Sequence, residues 1–374
     1  MHINSNFDSG NIRVVAAEKA SDIRLEINKD NNSDFYQWFH FRLTGAEGLD
    51  CKMTIENANG AAYLDGWNDY QAVASYDREF WFRVPTRLED NKLVIEHMPE
   101  YQSVYYAYFA PYSMERCADF IAYSIGDPKV RLKTLGQSID GQDIDQLIIG
   151  QEAEGKKKVW IHARQHPGES MGSWWMEGFV NRLLDEDEPI SRYLLDKAVF
   201  YVVPNMNPDG SKRGHLRTNA SGANLNREWL EPSMENSPEV YLVREQMHQI
   251  GVDFCLDVHG DEGLPYNFIA GAEGVPSWSD KLASLHEMFG NTLMAANPDF
   301  QMEHGYPTDK PGEADLSICT NYIAETFKCS SITLEMPFKD TKDTPQPIQG
   351  WSPERSIKLG ASCIDAIYSI VDDL

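Results

Sequence analysis

Three short apolar runs, at residues 159–163, 199–203 and 254–258, constrain the fold of this chain more than any other feature. Each run is too short for a helix and is typical of a strand buried on both faces of a sheet. Stretches with helical spacing lie between them, such as residues 171–184, where apolar side chains recur at every fourth position. Alternation of buried strands with helices predicts an α/β domain in which helices cover both faces of a mixed central sheet.

The remaining elements of this domain are predicted from caps, turn residues and prolines. They are a helix capped by Ser113, a hairpin of strands at 131–135 and 144–149 around Asp140-Gly141, helices at 282–294 and 353–370, and a strand at 332–334. Together they extend the pattern over residues 111–374, which we interpret as one domain.

Residues 1–110 have a different pattern, which indicates a β domain. Short runs at 12–15, 23–27 and 38–43 are separated by Asn, Asp and Gly, as strands joined by turns are. Aromatic residues are dense in this region and no residue in it indicates chemistry, so we interpret the aromatics as packing residues. An antiparallel β-sandwich is therefore predicted ahead of the α/β domain, and a chain of 374 residues has room for both.

The charge of the chain excludes several classes of partner. The formal net charge is -25 and no dense run of Lys and Arg occurs, so neither a nucleic acid nor a membrane surface is an expected partner. The first residues lack the features of a secretory signal, and no run approaches the roughly 18 apolar residues of a membrane span. Six cysteines without a CxxC pair are typical of reduced thiols, so we expect a cytoplasmic location.

Ionisable residues collect where three predicted strands end. The first strand leads to His166 and Glu169, the strand at 254–258 leads to His259, and the strand at 332–334 leads to Glu335. Because ligands of open α/β sheets gather at the carboxyl ends of strands, we expect these side chains to lie close together.

His166 and Glu169 flank a Pro-Gly pair at a strand-to-helix turn, where the chain can bend so that both side chains reach one ion. With His259 they make two imidazoles and one carboxylate, which leave an open position, as in catalytic zinc sites. Zinc in such a site activates water and polarises a carbonyl, and Glu335 is the predicted general base. A single H-x-x-E pair is more often a capping Glu beside a solvated His. The prediction of a zinc site therefore depends on the placement of this pair, His259 and Glu335 at the ends of three strands.

A set of short motifs carries a resemblance to a known family. They are HPGE at 166–169, NPDG at 207–210, LR at 216–217, LNR at 225–227, DVHG at 257–260 and LEMPF at 334–338. This set resembles the zinc carboxypeptidases, and within them the branch of the cytosolic carboxypeptidases, which are relatives of the protein deglutamylases. Three further segments, FDSGN at 7–11, QWFHFR at 37–42 and YFAPY at 108–112, resemble the N-terminal β domain of that branch and its junction with the catalytic domain.

The resemblance implies one zinc ion per chain and a role for each matching residue. The three candidate metal ligands match the zinc ligands of the family, and Glu335 matches its catalytic glutamate. Asn226 and Arg227 match the pair that binds the terminal carboxylate of the substrate, a task that suits a planar guanidinium. Arg217 matches the arginine that stabilises the oxyanion of the tetrahedral intermediate.

The sequence departs from the family at two places. Asn224 stands where the family has an Asp that orients a zinc-bound histidine, so lower activity or metal affinity is expected. Glu313 and Asp315 stand where the deglutamylases have a basic residue that binds an acidic side chain, so we expect neutral or basic C-terminal residues to be preferred over glutamate. Tyr306 and Tyr322 are both candidates for the active-site tyrosine of the family, and packing is our interpretation of each.

Three functions remain open from the sequence. The first is an exopeptidase that removes the C-terminal residue of a peptide or protein tail. The second is a zinc amidase or deacylase that acts on a small carboxylate-bearing amide, which the N-terminal β domain disfavours. The third is a peptide-binding module with impaired catalysis, which Glu335 and Arg217 disfavour and Asn224 favours. The sequence indicates neither the physiological substrate nor the oligomeric state.

Overall fold

The computed structural model describes all 374 residues and places ten short strands in the first 110. They are β1 (His2–Asn4), β2 (Arg13–Lys19), β3 (Asp22–Glu26), β4 (His40–Thr44), β5 (Cys51–Ile55), β6 (Val73–Ser75), β7 (Phe82–Arg83), β8 (Thr86–Glu89), β9 (Lys92–His97) and β10 (Ser103–Ala107). They form two five-stranded sheets, in the orders β1-β4-β10-β6-β7 and β2-β3-β5-β9-β8. The predicted β-sandwich is confirmed, with one difference: β3 and β5 pair in parallel.

Alternation of side chains explains how these sheets pack. In β5, Cys51, Met53 and Ile55 are buried while the residues between them are partly exposed. Phe41 and Tyr106 of the other sheet pack with their ring centroids 5.3 Å apart and belong to the same buried core. Burial of each such side chain stabilises the fold by about 1.5–3 kcal/mol, so packing accounts for the aromatic residues of this region.

The rest of the chain alternates between helices and strands. The elements are α1 (Met114–Ser124), β11 (Val130–Gln137), β12 (Asp143–Ile149), β13 (Lys157–Ala163), α2 (Met171–Leu184), α3 (Pro189–Lys197), β14 (Ala198–Val203), α4 (Pro208–Arg213), α5 (Pro238–Ile250), β15 (Phe254–Asp261), β16 (Phe268–Ala270), α6 (Asp280–Ala296), α7 (Cys319–Phe327), β17 (Ser330–Pro337) and α8 (Pro353–Ile370). The seven strands form one sheet in the order β11-β12-β14-β13-β15-β17-β16. The four central strands, β14, β13, β15 and β17, pair in parallel with one another. The pairs β11-β12, β12-β14 and β17-β16 are antiparallel, so the predicted mixed sheet is confirmed.

Helices cover both faces of this sheet, because neighbouring residues of its central strands enter different cores. Val159 and Ile161 of β13 join the large core that includes residues of α2, α6 and α8. Trp160, between them, joins a second core that includes residues of α5 and α7. Gly178 of α2 and Gly360 of α8 let these two helices touch, since a Cβ at either position would lie about 2 Å from a carbonyl oxygen of the other helix.

The predicted helices at 171–184 and 353–370 match α2 and α8 residue for residue, and Ser113 caps α1 by accepting a hydrogen bond from the backbone of Arg116. The helices α3, α4, α5 and α7 have no counterpart in the sequence-based prediction. No helix of the structure combines the length and the apolar character that crossing a membrane requires.

Sheet topology gathers the ionisable residues at one edge. The strands β13, β15 and β17 are adjacent and parallel, so their carboxyl ends meet. In the register of β15 and β17, His259 stands directly beside Glu335.

Candidate active site

The turn between β13 and α2 carries His166 and Glu169. Arg164 enters this turn with a backbone φ of 64°, a left-handed conformation that side chains rarely adopt outside constrained sites. The buried guanidinium of Arg164 donates to the carbonyl oxygen of Pro167 at 2.6 Å and to the hydroxyl of Ser173 at 3.0 Å. These bonds join the strand, the turn and the helix, and so fix the direction of His166 and Glu169.

Glu169 lies between two imidazole rings. Its Oε1 lies 2.7 Å from Nδ1 of His166, and its Oε2 lies 2.8 Å from Nδ1 of His259. All three side chains are buried, and their candidate ligand atoms lie within 4.8 Å of one another. The structure thus brings together the three predicted metal ligands, although Glu169 and His259 are 90 positions apart in the chain.

Each histidine directs its other ring nitrogen to a second polar group. Nε2 of His166 lies 3.0 Å from Oδ1 of Asn224, and Nε2 of His259 lies 2.8 Å from Oδ2 of Asp257. Contacts of this kind fix the tautomer and leave Nδ1 available for a metal. Asn224 therefore contacts a candidate metal ligand, and Asp257 is a partner that the sequence analysis did not assign.

These donors fit a zinc ion, because two imidazole nitrogens and one carboxylate beside an open cleft form the donor set of a catalytic site. Burial and the cation of Arg217 lower the pKa of His166 to about 4, so its ring is neutral near pH 7, as a ligand must be. Burial also lowers the pKa of His259, but the carboxylates of Asp257 and Glu169 outweigh it and raise that pKa well above its ordinary value, so a bound metal would displace a proton from this ring. A second buried group, His162, Asp257 and Cys319, could also hold a metal ion. None of those three residues lines the cleft, so a metal there would be out of reach of a substrate.

Glu335 faces the metal ligands with one oxygen free. The hydroxyl of Tyr306 lies 3.2 Å from Oε1 of Glu335 and 2.6 Å from Oδ2 of Asp261, whereas Oε2 of Glu335 has no hydrogen-bond partner in the chain. Burial, together with the carboxylates of Glu169 and Asp261, raises the pKa of Glu335 well above its ordinary value, while the nearby His259 lowers it. A buried carboxyl group in this position is suited to accept and return a proton.

Two guanidinium groups and an amide lie on the same cleft, namely Arg217, Arg227 and Asn226. Oδ1 of Asn226 accepts a hydrogen bond of 2.9 Å from the backbone of Cys319, which leaves its amide nitrogen free to donate to a ligand. Burial and the cation of Arg217 lower the pKa of Arg227, as expected for two guanidinium groups on one cleft. An anionic group between the two cations would relieve their repulsion.

The cleft has a volume of about 1250 Å³ and is otherwise acidic. Besides Glu169 and Glu335 its lining contains six carboxylates: Asp65, Asp261, Glu262, Glu273, Glu303 and Asp309. Glu313 and Asp315 are not among the residues that line the cleft, but Asp315 lies close enough to Arg227 for its carboxylate to counter the lowering of the pKa of that guanidinium, so its place near the substrate stays a prediction. Lys310 is also outside the lining, and its exposed ammonium group lies 4.0 Å from the carboxylate of Glu313.

Sequence reasoning assigned no polar role to two residues of this site, Asp257 and Tyr306. Asp257 precedes His259 by two positions on a strand, so both side chains lie on one face, and that spacing was a usable signal. Tyr306 comes from a segment without helix or strand, so only the fold brings its hydroxyl to Glu335. The other tyrosine candidate, Tyr322, lies outside the cleft lining with its hydroxyl 2.9 Å from His248.

Comparison with known proteins gives matches over both halves of the chain. The family model of the zinc carboxypeptidases matches residues 125–354, and the model of the cytosolic carboxypeptidase N-terminal domain matches residues 3–109.

Two crystal structures resemble the whole chain. A metallo-carboxypeptidase from Burkholderia cenocepacia is 49% identical, with a TM-score of 0.97 and full coverage of both chains. A metallo-carboxypeptidase from Pseudomonas aeruginosa, in complex with (2-guanidinoethylmercapto)succinic acid, is 45% identical, again with a TM-score of 0.97 and full coverage of both chains. Cytosolic carboxypeptidase 6 of Mus musculus is 27% identical over 294 residues, which are 71% of this chain and 54% of that protein.

Proposed function

The chain belongs to the zinc carboxypeptidase family and is a peptide hydrolase, and we propose that it removes the C-terminal residue from peptides or protein tails. The observation that carries this proposal is one cleft whose wall contains the three candidate metal ligands, Glu335, Arg217 and Arg227. One zinc ion per chain, held by His166, Glu169 and His259, would supply Lewis-acid chemistry that polarises the scissile carbonyl and activates water.

Arg227 and Asn226 bind the free carboxylate of the substrate. A guanidinium can donate two parallel hydrogen bonds to a carboxylate, and the free amide nitrogen of Asn226 can donate a third. Anchoring of this carboxylate limits cleavage to the last peptide bond, because a chain that continues past the anchor would have no carboxylate to bind.

Glu335 moves the proton. Its unpartnered Oε2 accepts a proton from the attacking water and then returns it to the nitrogen of the leaving residue. Oε1 stays close to the hydroxyl of Tyr306, which helps to hold the carboxylate in one orientation. Arg217 donates hydrogen bonds to the oxyanion that develops on the carbonyl oxygen, a charge that is absent from the bound substrate.

The acidic lining of the cleft supports a preference for neutral or basic C-terminal residues over glutamate. Glu273 and Asp309 are two of its carboxylates, and a glutamate side chain near them would be repelled. The Pseudomonas aeruginosa relative binds a succinic acid that carries a guanidino group, which agrees with the recognition of a cation. The net charge of -25 also slows the approach of acidic tails, although salt screens this effect beyond about 8 Å.

Peptides that differ only in their last residue test this preference. We expect kcat/KM at fixed ionic strength to be higher for peptides that end in Lys, Arg, Ala or Leu than for those that end in Glu. The variant Glu273→Gln should narrow the difference between Lys and Glu, whereas the control Glu313→Gln, outside the cleft, should leave it unchanged. Faster cleavage of the Glu-ending peptide by the parent protein would contradict the proposed specificity.

Matched peptides with a free or an amidated C-terminus separate the candidate functions. A carboxypeptidase removes one residue from the free peptide and leaves the amidated peptide intact. Hydrolysis of small amides without cleavage of peptides would favour the amidase function, and binding without cleavage would favour an impaired binding module. We also infer a cytoplasmic location, which is supported by six cysteines that are all free and buried.

A further inference from the structure

The turn that carries Arg217 is held by a carboxylate of the N-terminal domain. Oδ1 of Asp30 accepts the backbone N–H of Leu216 at 2.7 Å, and Oδ2 accepts those of Arg217 and Thr218 at 2.8 and 2.9 Å. The hydroxyl of Thr218 donates to the same Oδ2 at 3.1 Å. Asp30 is 3% exposed, so four donors of the catalytic domain converge on one buried carboxylate.

The side chain of Arg217 is held by the same domain. Its guanidinium carbon lies 5.5 Å from the centroid of the Phe35 ring and 5.5 Å from that of Tyr63. Contacts of a guanidinium with aromatic faces are attractive and restrict its orientation without using its N–H donors. Because the N–H groups stay free, Arg217 can still donate to an oxyanion in the cleft.

One short loop supplies both the carboxylate and one of the rings. The backbone N–H of Asp30 donates to the carbonyl oxygen of Phe35 at 2.9 Å, which closes residues 30–35 into a compact loop. Next to Asp30, the backbone N–H of Asn31 donates to Nε2 of His215 at 3.2 Å, so the loop is attached at a second point.

The Arg217 turn is also coupled to the metal ligands. The carbonyl oxygen of Leu216 accepts the N–H of Gly168 at 2.9 Å, between His166 and Glu169. A Cβ at Gly168 would lie 2.8 Å from that oxygen, so this contact needs glycine. One backbone hydrogen bond thus joins the Arg217 turn to the turn of the metal ligands, and the guanidinium of Arg164 holds that second turn independently.

We propose that the N-terminal β domain completes the active site, with Asp30 as a positioning residue that holds the Arg217 turn and with Phe35 and Tyr63 as a clamp on the Arg217 guanidinium. This inference rests on the proposed function, because it assigns to Arg217 the stabilisation of the oxyanion. It assigns the N-terminal domain a role in catalysis beyond packing.

The variant Asp30→Asn tests the positioning role with little change of shape. It places an NH2 group opposite N–H donors, so the turn should loosen. Loss of a whole oxyanion donor lowers kcat by about a hundredfold to a thousandfold. Misplacement of Arg217 should lower kcat by less, so we expect a decrease of about tenfold or more in Asp30→Asn. KM and zinc content should stay within about twofold of the parent values, because the anchor and the metal ligands are retained.

Asp8→Asn is the matched control. Asp8 is also an N-terminal carboxylate that accepts a backbone N–H of the catalytic domain, that of Met114 at 2.6 Å, but it does not contact the Arg217 turn. This variant should keep kcat within about twofold of the parent value, because Asp8 makes no contact with the Arg217 turn. An equal loss of kcat in Asp8→Asn and Asp30→Asn would show that only domain attachment matters and would overturn the proposal.

A double-mutant cycle and hydrogen exchange complete the test. In an Arg217→Ala background, Asp30→Asn should cause little further loss of kcat, whereas a full additive loss would contradict a role through Arg217. Amide exchange in the peptide around residues 214–219 should accelerate in Asp30→Asn and not in Asp8→Asn, and unchanged exchange would overturn the positioning role. The exchange measurement does not depend on turnover. An inactive parent protein would therefore refute the proposed function, while the exchange rates would still show whether Asp30 holds the Arg217 turn.

Discussion

Replacement of Asn224 by Asp should strengthen zinc binding. Oδ1 of Asn224 lies 3.0 Å from Nε2 of His166 and also accepts the backbone N–H of Asn226 at 3.1 Å. Aspartate keeps both acceptor positions and adds a negative charge on the side of His166 opposite its ligand nitrogen. A charged partner makes the imidazole a stronger donor to the metal.

The expected size of this effect follows from the single hydrogen bond that changes. A neutral hydrogen bond contributes about 0.5–1.5 kcal/mol and one to a charged group about 1.5–3 kcal/mol, so the gain is about 1 kcal/mol. This corresponds to a five- to tenfold lower Kd, the low end for partners of metal ligands. Asn224 is only partly buried, and the carboxylate of Glu169 is nearby, so a larger gain is not expected.

Competition with a zinc chelator at fixed pH measures this change. Asn236→Asp is a suitable control, because it adds the same charge at an exposed position and should leave the zinc affinity unchanged. Unchanged or weaker zinc binding in Asn224→Asp would refute the argument that Asn224 acts through His166. An equal gain in both variants would show that net charge alone is responsible.

Three further predictions concern turnover, substrate binding and stability. Glu335→Gln should keep the metal and lower kcat by about a hundredfold or more, and near-parental turnover would show that another group is the base. Arg227→Ala should raise KM by about tenfold or more for peptides with a free C-terminus, whereas an unchanged KM would exclude Arg227 as the anchor. Burial raises the pKa of Glu239 from 4.5 to about 7, so the folded state loses stability as pH rises from 4.5 to 7, by about 3 kcal/mol in total. Glu239→Gln should therefore gain stability in urea unfolding at pH 8 relative to the parent and gain little at pH 4.5, and a gain that does not vary with pH would contradict this.

A helix can be predicted from the sequence when the side chains that it buries are all apolar, because its periodicity is then easy to recognise. Residues of α2 are apolar over most of its surface, and both faces are buried, so its limits are clear from composition and its neighbours. The helix α5 buries Glu239 and Gln246 along with Val240 and Val243, and the polar residues weaken its apolar periodicity. Tertiary contacts therefore define α5 more than its own pattern does.

The site residues at strand ends can be predicted from the sequence. The site residues on loops and on the N-terminal domain cannot, because only the tertiary fold brings them to the cleft. His166, Glu169, His259 and Glu335 follow recognisable strands, so their meeting at one edge can be anticipated. The acidic lining comes largely from loops whose path has no local signal, so the sequence does not indicate cleft residues such as Glu273. The approach of Asp30 to residue 217 likewise depends on how the two halves of the chain pack.

The claim that His166, Glu169 and His259 hold a catalytic zinc ion is tested most directly by elemental analysis of the zinc-reconstituted protein and of its His166→Ala and His259→Ala variants. Two imidazoles and one carboxylate should bind one zinc per parent chain, and removal of either imidazole should abolish stoichiometric binding. Absence of a stoichiometric transition metal from the reconstituted parent protein, or full retention of zinc by both variants, would contradict the account.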